Sequence, residues 1–145
     1  MKSTILMSNL YIINSDASVY RIGEHQWLTG AGVYAQDFSC SSQLGAGTVN
    51  TGEFKGILLA AWLGITKIKD TEIRTDSQFC ASVVNGVYSS AKFSVYLEVF
   101  LIIHDLYRRL GLTLQVKWVP REENKEADKL ARQATAKYKN ELKTI

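Results

Sequence analysis

Apolar and polar positions change period several times along the chain, and each change marks an element. Leu10 to Ser15 is a short apolar run rich in β-branched and aromatic residues. It predicts a strand that ends by delivering the carboxylate of Asp16. Gly30 to Gln36 and Ser39 to Gly45 predict two more strands, joined at Asp37 and Phe38 by a tight turn as in an antiparallel meander. From Glu53 to Ile65 the period becomes helical, with Phe54, Ile57, Leu58, Ala61, Trp62 and Ile65 on one face and Glu53 opening the helix. Thr71 to Thr75 predicts a brief strand leading to Asp76, and Gln78 to Val84 a short helix stopped at Asn85 and Gly86. Phe93 to Leu110 predicts a long helix closed by Gly111. Leu112 to Val119 alternates as a strand, placing Leu112, Leu114, Val116 and Trp118 on one face, and Pro120 ends it. A last helix, beginning near Asn124, places Ala127, Leu130, Ala131, Ala134 and Tyr138 on its buried side. The order β-β-β-α-β-α-α-β-α predicts an α/β fold, a mixed five-stranded sheet flanked by helices. The crossover helix between strands three and four is long enough to let them run parallel.

The chain has 145 residues, 46% of them hydrophobic, which suits one domain with a real core. Its one proline and the absence of a linker-like or repeated stretch give no internal boundary, so a single domain over residues 1–145 is expected, with a short extension at 1–9 and a tail at about 139–145. The formal charge of +3 is uneven: residues 1–72 carry 5 Lys/Arg against 6 Asp/Glu, and residues 73–145 carry 12 against 8. A basic C-terminal half suits a polyanion. A solvated helix face explains Lys125, Lys129, Arg132 and Lys137 equally well. Cys40 and Cys80 lack metal-like spacing and read as reduced thiols. The longest apolar run, Phe93 to Ile103, is far short of the roughly 20 residues that span a bilayer. A soluble, cytoplasmic protein without a membrane contact or an obligate protein partner is the expectation.

Four acids stand out against this background. Asp16 and Asp76 each follow a hydrophobic strand, and neighbouring strand ends converge at the edge of an α/β sheet where ligands bind. Glu53 and Asp128 fall early in the first and last helices, at the margin of each apolar stripe. Those positions let all four side chains point toward one spot at the rim of the core. Hard oxygen donors without Cys or His indicate Mg²⁺ or Mn²⁺ rather than zinc. Two such ions about 4 Å apart suit in-line phosphoryl displacement. The helix macrodipole alone explains acids at Glu53 and from Glu122 to Asp128, but not Asp16 and Asp76.

From about Tyr11 to Ala136 the chain resembles type 1 ribonuclease H. The resemblance rests on INSDAS around Asp16, NTGEFKGILLA around Glu53, RTDSQ around Asp76 and WVPREENKEADKLARQA around Asp128. It implies a ribonuclease H-like fold and cleavage of the RNA strand of RNA–DNA hybrids, leaving 5′-phosphate and 3′-hydroxyl ends, with two Mg²⁺ or Mn²⁺ ions. Asp16, Glu53, Asp76 and Asp128 would be the catalytic metal ligands. By the same resemblance, Asn50 and Gln78 match positions that touch the minor groove of the hybrid, Thr48 one that helps bind a DNA-strand phosphate, and Ser18 and Asn124 further nucleic-acid contacts.

The chain departs from that pattern in four places. Ala17 stands where glycine usually follows the first aspartate. The usual glycine-rich loop is replaced by Val19 to Leu28, where Tyr20 and Trp27 pack or stack. The loop before the last helix, Pro120 to Glu123, lacks the histidine many relatives carry, leaving Arg121, Glu122 and Glu123 as candidates to assist, whereas His25 and His104 are not expected to do so. Only Val87 to Lys92 lies between the two central helices, too little for a basic, tryptophan-bearing handle. Two alternatives accompany the nuclease reading: an inactive ribonuclease H-fold module that binds nucleic acid, and a nuclease cutting double-stranded RNA.

Overall fold

The structure, a computed structural model, describes residues 10–143. Its strands are β1 (Tyr11–Gly23), β2 (Gln26–Ala35), β3 (Phe38–Ala46), β4 (Thr71–Thr75) and β5 (Leu114–Trp118). Its helices are α1 (Val49–Lys67), α2 (Gln78–Val84), α3 (Ser94–Arg109) and α4 (Lys125–Lys143), with short 3-10 turns before α3 and α4. The sheet order is β3-β2-β1-β4-β5, antiparallel among the first three strands and parallel among β1, β4 and β5. This is the mixed five-stranded sheet flanked by helices that the sequence predicts.

The helices divide between the two faces of the sheet. α1 packs on β1, β2 and β4 and touches α3 and α2, while α4 covers β1, β2 and β3. The core between α1, α3 and the sheet is built on Ile13, Phe54, Ile57, Ile73 and Tyr107, all essentially excluded from water. Phe54 stacks on Tyr96 with ring centroids 5.3 Å apart, and the Tyr107 hydroxyl donates to the Ala61 carbonyl at 2.5 Å. That hydroxyl is one reason the ring can sit fully buried.

On the other face, glycines let α4 approach the strands. A Cβ at Gly32 would lie 2.1 Å from the Ala127 carbonyl oxygen, and one at Gly30 2.7 Å from the Ala134 Cβ. The Ser41 hydroxyl also donates to the Leu130 carbonyl at 2.7 Å.

Several boundaries differ from those expected. β4 and α2 begin and end where the pattern put them. β1 does not stop at Asp16: it runs on to Gly23 because β2 pairs with it along that whole length, although β4 leaves it after Ser15. α1 begins at Val49, not Glu53, since Thr48 caps it in a capping box with Thr51. Glu53 therefore lies in the second turn, outside the reach of a first-turn dipole argument. Trp62, placed on the buried face by its spacing, is 54% exposed, because Gly56, Ala60 and Gly64 turn the packed stripe of α1 to its other flank. Trp118, expected to be buried with Leu114 and Val116, is exposed at the end of edge strand β5. The tail expected at 139–145 is helical as far as Lys143, and the extension expected at 1–9 lies outside the described residues. Among the described residues no helix is long and apolar enough to cross a membrane.

Candidate active site

The end of the β1–β4 ladder is where the chemistry gathers. The two strands pair in register up to Ser15 and Thr75, so Asp16 and Asp76 are the next residue of each. Beyond that point β4 turns away through Ser77, whose hydroxyl accepts from the Cys80 amide at 3.1 Å and caps α2. The departure of β4 leaves β1 uncovered on that side, and the gap is where both carboxylates project.

Glu53 reaches the same gap because α1 lies very close to β1. A Cβ on Gly56 would stand 2.6 Å from the Ser15 hydroxyl oxygen, and one on Gly52 3.1 Å from the Ala17 methyl. Gly52 thus makes room for Ala17, the position where the sequence departs from Asp-Gly-Ser. One oxygen each from Asp16, Glu53 and Asp76 lies within 4.8 Å of the other two. Asp16 and Glu53 are buried, at 5% and 6% exposure.

Asp128 stands at the margin of this group. It lines the same cavity as the other three and influences the Asp16 carboxyl directly, but its Oδ1 accepts from the Nε of Arg132 at 3.2 Å and its Oδ2 lies 3.1 Å from the same nitrogen in an ion pair. The structure therefore brings three of the four expected acids into one cluster and puts the fourth beside it. The cavity is completed by Ala17, Val49, Asn50, Ser77, Trp118 and Arg121.

Electrostatics at this spot favour a cation. Burial, then the nearby Asp76 carboxylate, holds Asp16 well above the ordinary carboxylate range. Burial, then the charges of Asp16 and Asp76, does the same to Glu53. The Glu53 Oε1 atom is buried without a hydrogen-bond partner among the described residues. A buried acceptor without a donor, in a cluster of like charges, is costly unless a positive ion or protons offset it. Three hard oxygen donors and no sulfur or imidazole suit Mg²⁺ or Mn²⁺, so the residues fit such an ion.

The expected substrate contacts divide. Asn50 lines the carboxylate cavity, and Thr48 is exposed at the start of α1 beside it. Gln78 is exposed at the start of α2 in a separate shallow hollow with Phe79, Ser82, Val87 and Tyr88. The Ser18 hydroxyl is engaged with that of Thr135 on α4 at 3.0 Å. Asn124 does not fit a substrate contact: it is 1% exposed, donates to the Ser15 carbonyl at 2.9 Å and accepts from the Asn14 amide at 2.9 Å. Its side chain is spent joining α4 to β1.

Among the loop candidates, only Arg121 reaches the site, with its Nε 3.8 Å from Asp76 and its side chain 80% exposed. Glu122 and Glu123 line a different hollow with Asn14, Tyr34, Lys125 and Glu126. His25 and His104 are exposed and line no part of the carboxylate cavity. Ser77 and Trp118 were not anticipated as site residues. Adjacency to Asp76 is the signal that could have found Ser77, whereas alternation assigned Trp118 to the core.

No family model matches the chain. Solved structures do. A ribonuclease H1 isolated from compost by a metagenomic approach is 26% identical, with a TM-score of 0.74 over 90% of this chain and 98% of that one. The same compost enzyme, solved in complex with an RNA/DNA hybrid, superposes with a TM-score of 0.69 at 23% identity, over 88% and 98% of the two chains. Ribonuclease H1 from the halophilic archaeon Halobacterium salinarum does so at 0.66 and 21% identity, again over 88% and 98%.

Proposed function

We infer that this chain is a type 1 ribonuclease H, and from that premise that it hydrolyses the RNA strand of RNA–DNA hybrids in a divalent-metal-dependent reaction. The observation that carries the reading is the meeting of Asp16, Glu53 and Asp76 within 4.8 Å at the open end of the β1–β4 ladder, with Asp128 in the same cavity. It is supported by likeness to a compost ribonuclease H1 that has been solved with an RNA/DNA hybrid.

Asp16, Glu53 and Asp76 would hold one or two Mg²⁺ or Mn²⁺ ions, with Asp128 completing the set. Bound there, the metal would activate water and neutralise charge on the scissile phosphate. The protein's own groups do the rest. Burial of Asp16 and Glu53 aims their oxygens rigidly and keeps competing water away. Gly52 and Gly56 fix the distance of α1 from β1, and so set where the Glu53 carboxylate lies relative to Asp16. Asn50, one turn before Glu53 on α1, faces the cavity and would meet the duplex through sugar or minor-groove edges, the way A-form-like helices are read. Arg121 takes the place left by the absent loop histidine. A guanidinium cannot shuttle a proton, so its role would be to orient and neutralise phosphate oxygens.

The test is direct. Labelled RNA–DNA hybrid, RNA duplex and DNA duplex are each incubated with the protein and Mg²⁺ or Mn²⁺, beside Asp16→Asn. Cutting of the hybrid's RNA strand by the parent and not by the variant is expected. Failure of the parent to cut the hybrid, or equal cutting by both proteins, overturns the reading. Cutting of RNA duplex as well would widen the substrate range to double-stranded RNA.

A further inference from the structure

The segment Val19 to Leu28, which the family resemblance leaves unassigned, is a built element. It is the far half of the β1–β2 hairpin, carried beyond the point where β4 departs. Its turn at Glu24 and His25 is held by a side chain of the hairpin itself: the Arg21 guanidinium donates to the carbonyls of Gly23 at 2.9 Å and Glu24 at 3.1 Å. The tip is therefore an ordered projection rather than a loose loop.

Its position relative to α1 follows from a shared repeat. Four residues of helix and two of strand each advance about 6–7 Å. Accordingly Gly52 lies against Thr29, and Gly56 against Ala31, with would-be Cβ contacts of 3.5 and 3.7 Å. The next step of the same register sets Trp27 beside Thr48, where the helix has just ended. The Gly47 amide donates to the Trp27 carbonyl at 3.1 Å, which locks the two segments together. The indole thus has no helix above it and stays half-buried, lining a hollow with Ile22, His25, Gln26, Gly47 and Thr48. Val49 and Asn50, the first two residues of α1, line the carboxylate cavity. One continuous surface therefore runs from the acids, over the start of α1, to the hairpin tip.

We propose that Trp27 and His25, beside Thr48, form a second nucleic-acid contact that grips the backbone of a strand leaving the carboxylate cavity across the start of α1. This rests on the function proposed above. The chemistry suits a sugar–phosphate chain. The indole offers a flat apolar surface to a sugar, and the exposed His25 imidazole offers a donor to a phosphate beyond the one that the resemblance already gives to Thr48. The contact replaces part of the grip that a basic handle would supply.

Binding of fluorescently labelled hybrid by anisotropy tests this without recourse to cleavage. Two hybrids are compared: one extending past the tip on both sides, and one trimmed to end at the carboxylate cavity. Trp27→Ala and His25→Ala are each expected to weaken binding of the long hybrid by about fivefold to tenfold, the weight of one modest contact, and to leave the short one unchanged. Trp27→Phe, which keeps an aromatic surface, should restore most of the loss, and melting curves separate a folding defect from a lost contact. Equal binding of the long hybrid by parent and both alanine variants overturns the proposal, as does equal weakening on both hybrids. The two readings fail in different ways: a parent that binds in this tip-dependent manner but never cuts sinks the nuclease assignment alone, and a cutting enzyme indifferent to both substitutions sinks the tip contact alone.

Discussion

The amide of Asn124 donates to the carbonyl of Ser15 at 2.9 Å, and through that bond the start of α4 is tied to the strand that carries Asp16. The Asn124 carbonyl oxygen, one turn before Asp128, in turn accepts the Asp128 backbone amide at 3.1 Å. Asn124 is therefore a positioning residue for Asp128. Asn124→Ala removes the side-chain donor from the buried Ser15 carbonyl and leaves the Asn14 amide only its longer bond to the Glu123 carbonyl at 3.3 Å, and is expected to cost about 1–3 kcal/mol of stability. Its activity should fall through kcat, with KM little changed, because the buried side chain cannot touch substrate. Denaturant titration and steady-state kinetics on the hybrid check both halves; a rise in KM at constant kcat would return Asn124 to the substrate surface.

The carboxylate cluster is a site where function opposes stability. Burial, then the Asp76 carboxylate, pushes the Asp16 carboxyl up to about 7 in the folded protein, against about 3.9 in an unfolded chain. Between those values the folded state binds more protons than the unfolded one, so metal-free stability falls as pH rises from about 4 toward 7. Glu53, also raised, extends the decline above that range. Asp16→Asn removes the ionisation and should raise the metal-free Tm at neutral pH by about 3–8 °C, while abolishing activity. Adding Mn²⁺ should raise the Tm of the parent and much less that of the variant. Scanning calorimetry at several pH values, with and without Mn²⁺, checks all of this; a metal-free parent that gains stability between pH 4 and 7 contradicts it.

The features legible in the sequence are those with a short-range signal. β4 and α2 lie between clear punctuation, Asp70 and Asp76 for one and Ser77 and Asn85 for the other, so their bounds were readable. Asp16 and Asp76 could be placed at a common edge because each directly follows an apolar run. The true extent of β1 was not readable, because the strand loses one neighbour at Ser15 and keeps the other to Gly23, and pairing asymmetry leaves no local trace. The exposure of Trp62 depends on which flank of α1 meets the sheet, a choice made by small residues at Gly52, Gly56 and Gly64 that contribute nothing to an apolar count. Asn124, expected from the resemblance to touch nucleic acid, instead lies buried against Asn14 and Ser15, partners far off in the chain that leave no local trace in the sequence around it.

Arg121 offers a cleaner separation of chemistry from folding. Its guanidinium is largely exposed and 3.8 Å from Asp76, a distance and setting in which an ion pair adds little to stability. Arg121→Ala should melt like the parent yet lose about tenfold or more in kcat, if the cation steadies charge on the phosphate. Arg121→Lys keeps the charge without the fork and should fall between the two. Parent-like turnover by Arg121→Ala would remove the residue from the site.

Gly32 carries the tightest contact between sheet and helix. Its missing side chain leaves space for α4: an added methyl would stand 2.1 Å from the Ala127 carbonyl oxygen, 2.5 Å from the Ala131 amide nitrogen and 2.8 Å from the Leu130 Cβ. Two of those are backbone atoms of a helix held to the sheet at Asn124 and Leu130, so they cannot swing aside as a flexible side-chain end could. Gly32→Ala must therefore push the first two turns of α4 outward, and Asp128, one residue past Ala127, moves with them. The expected result is a loss of about 3 kcal/mol or more, with kcat depressed even where the protein remains folded. Gly86→Ala is the control, since that glycine, at φ +75°, has nothing within 4 Å of an added methyl and lies outside the carboxylate cavity. It should lose only the backbone strain of a left-handed alanine, about 1–2 kcal/mol, with turnover unaffected. Equal losses of stability and kcat in the two variants would show that the close seat of α4 on Gly32 does not govern where Asp128 sits.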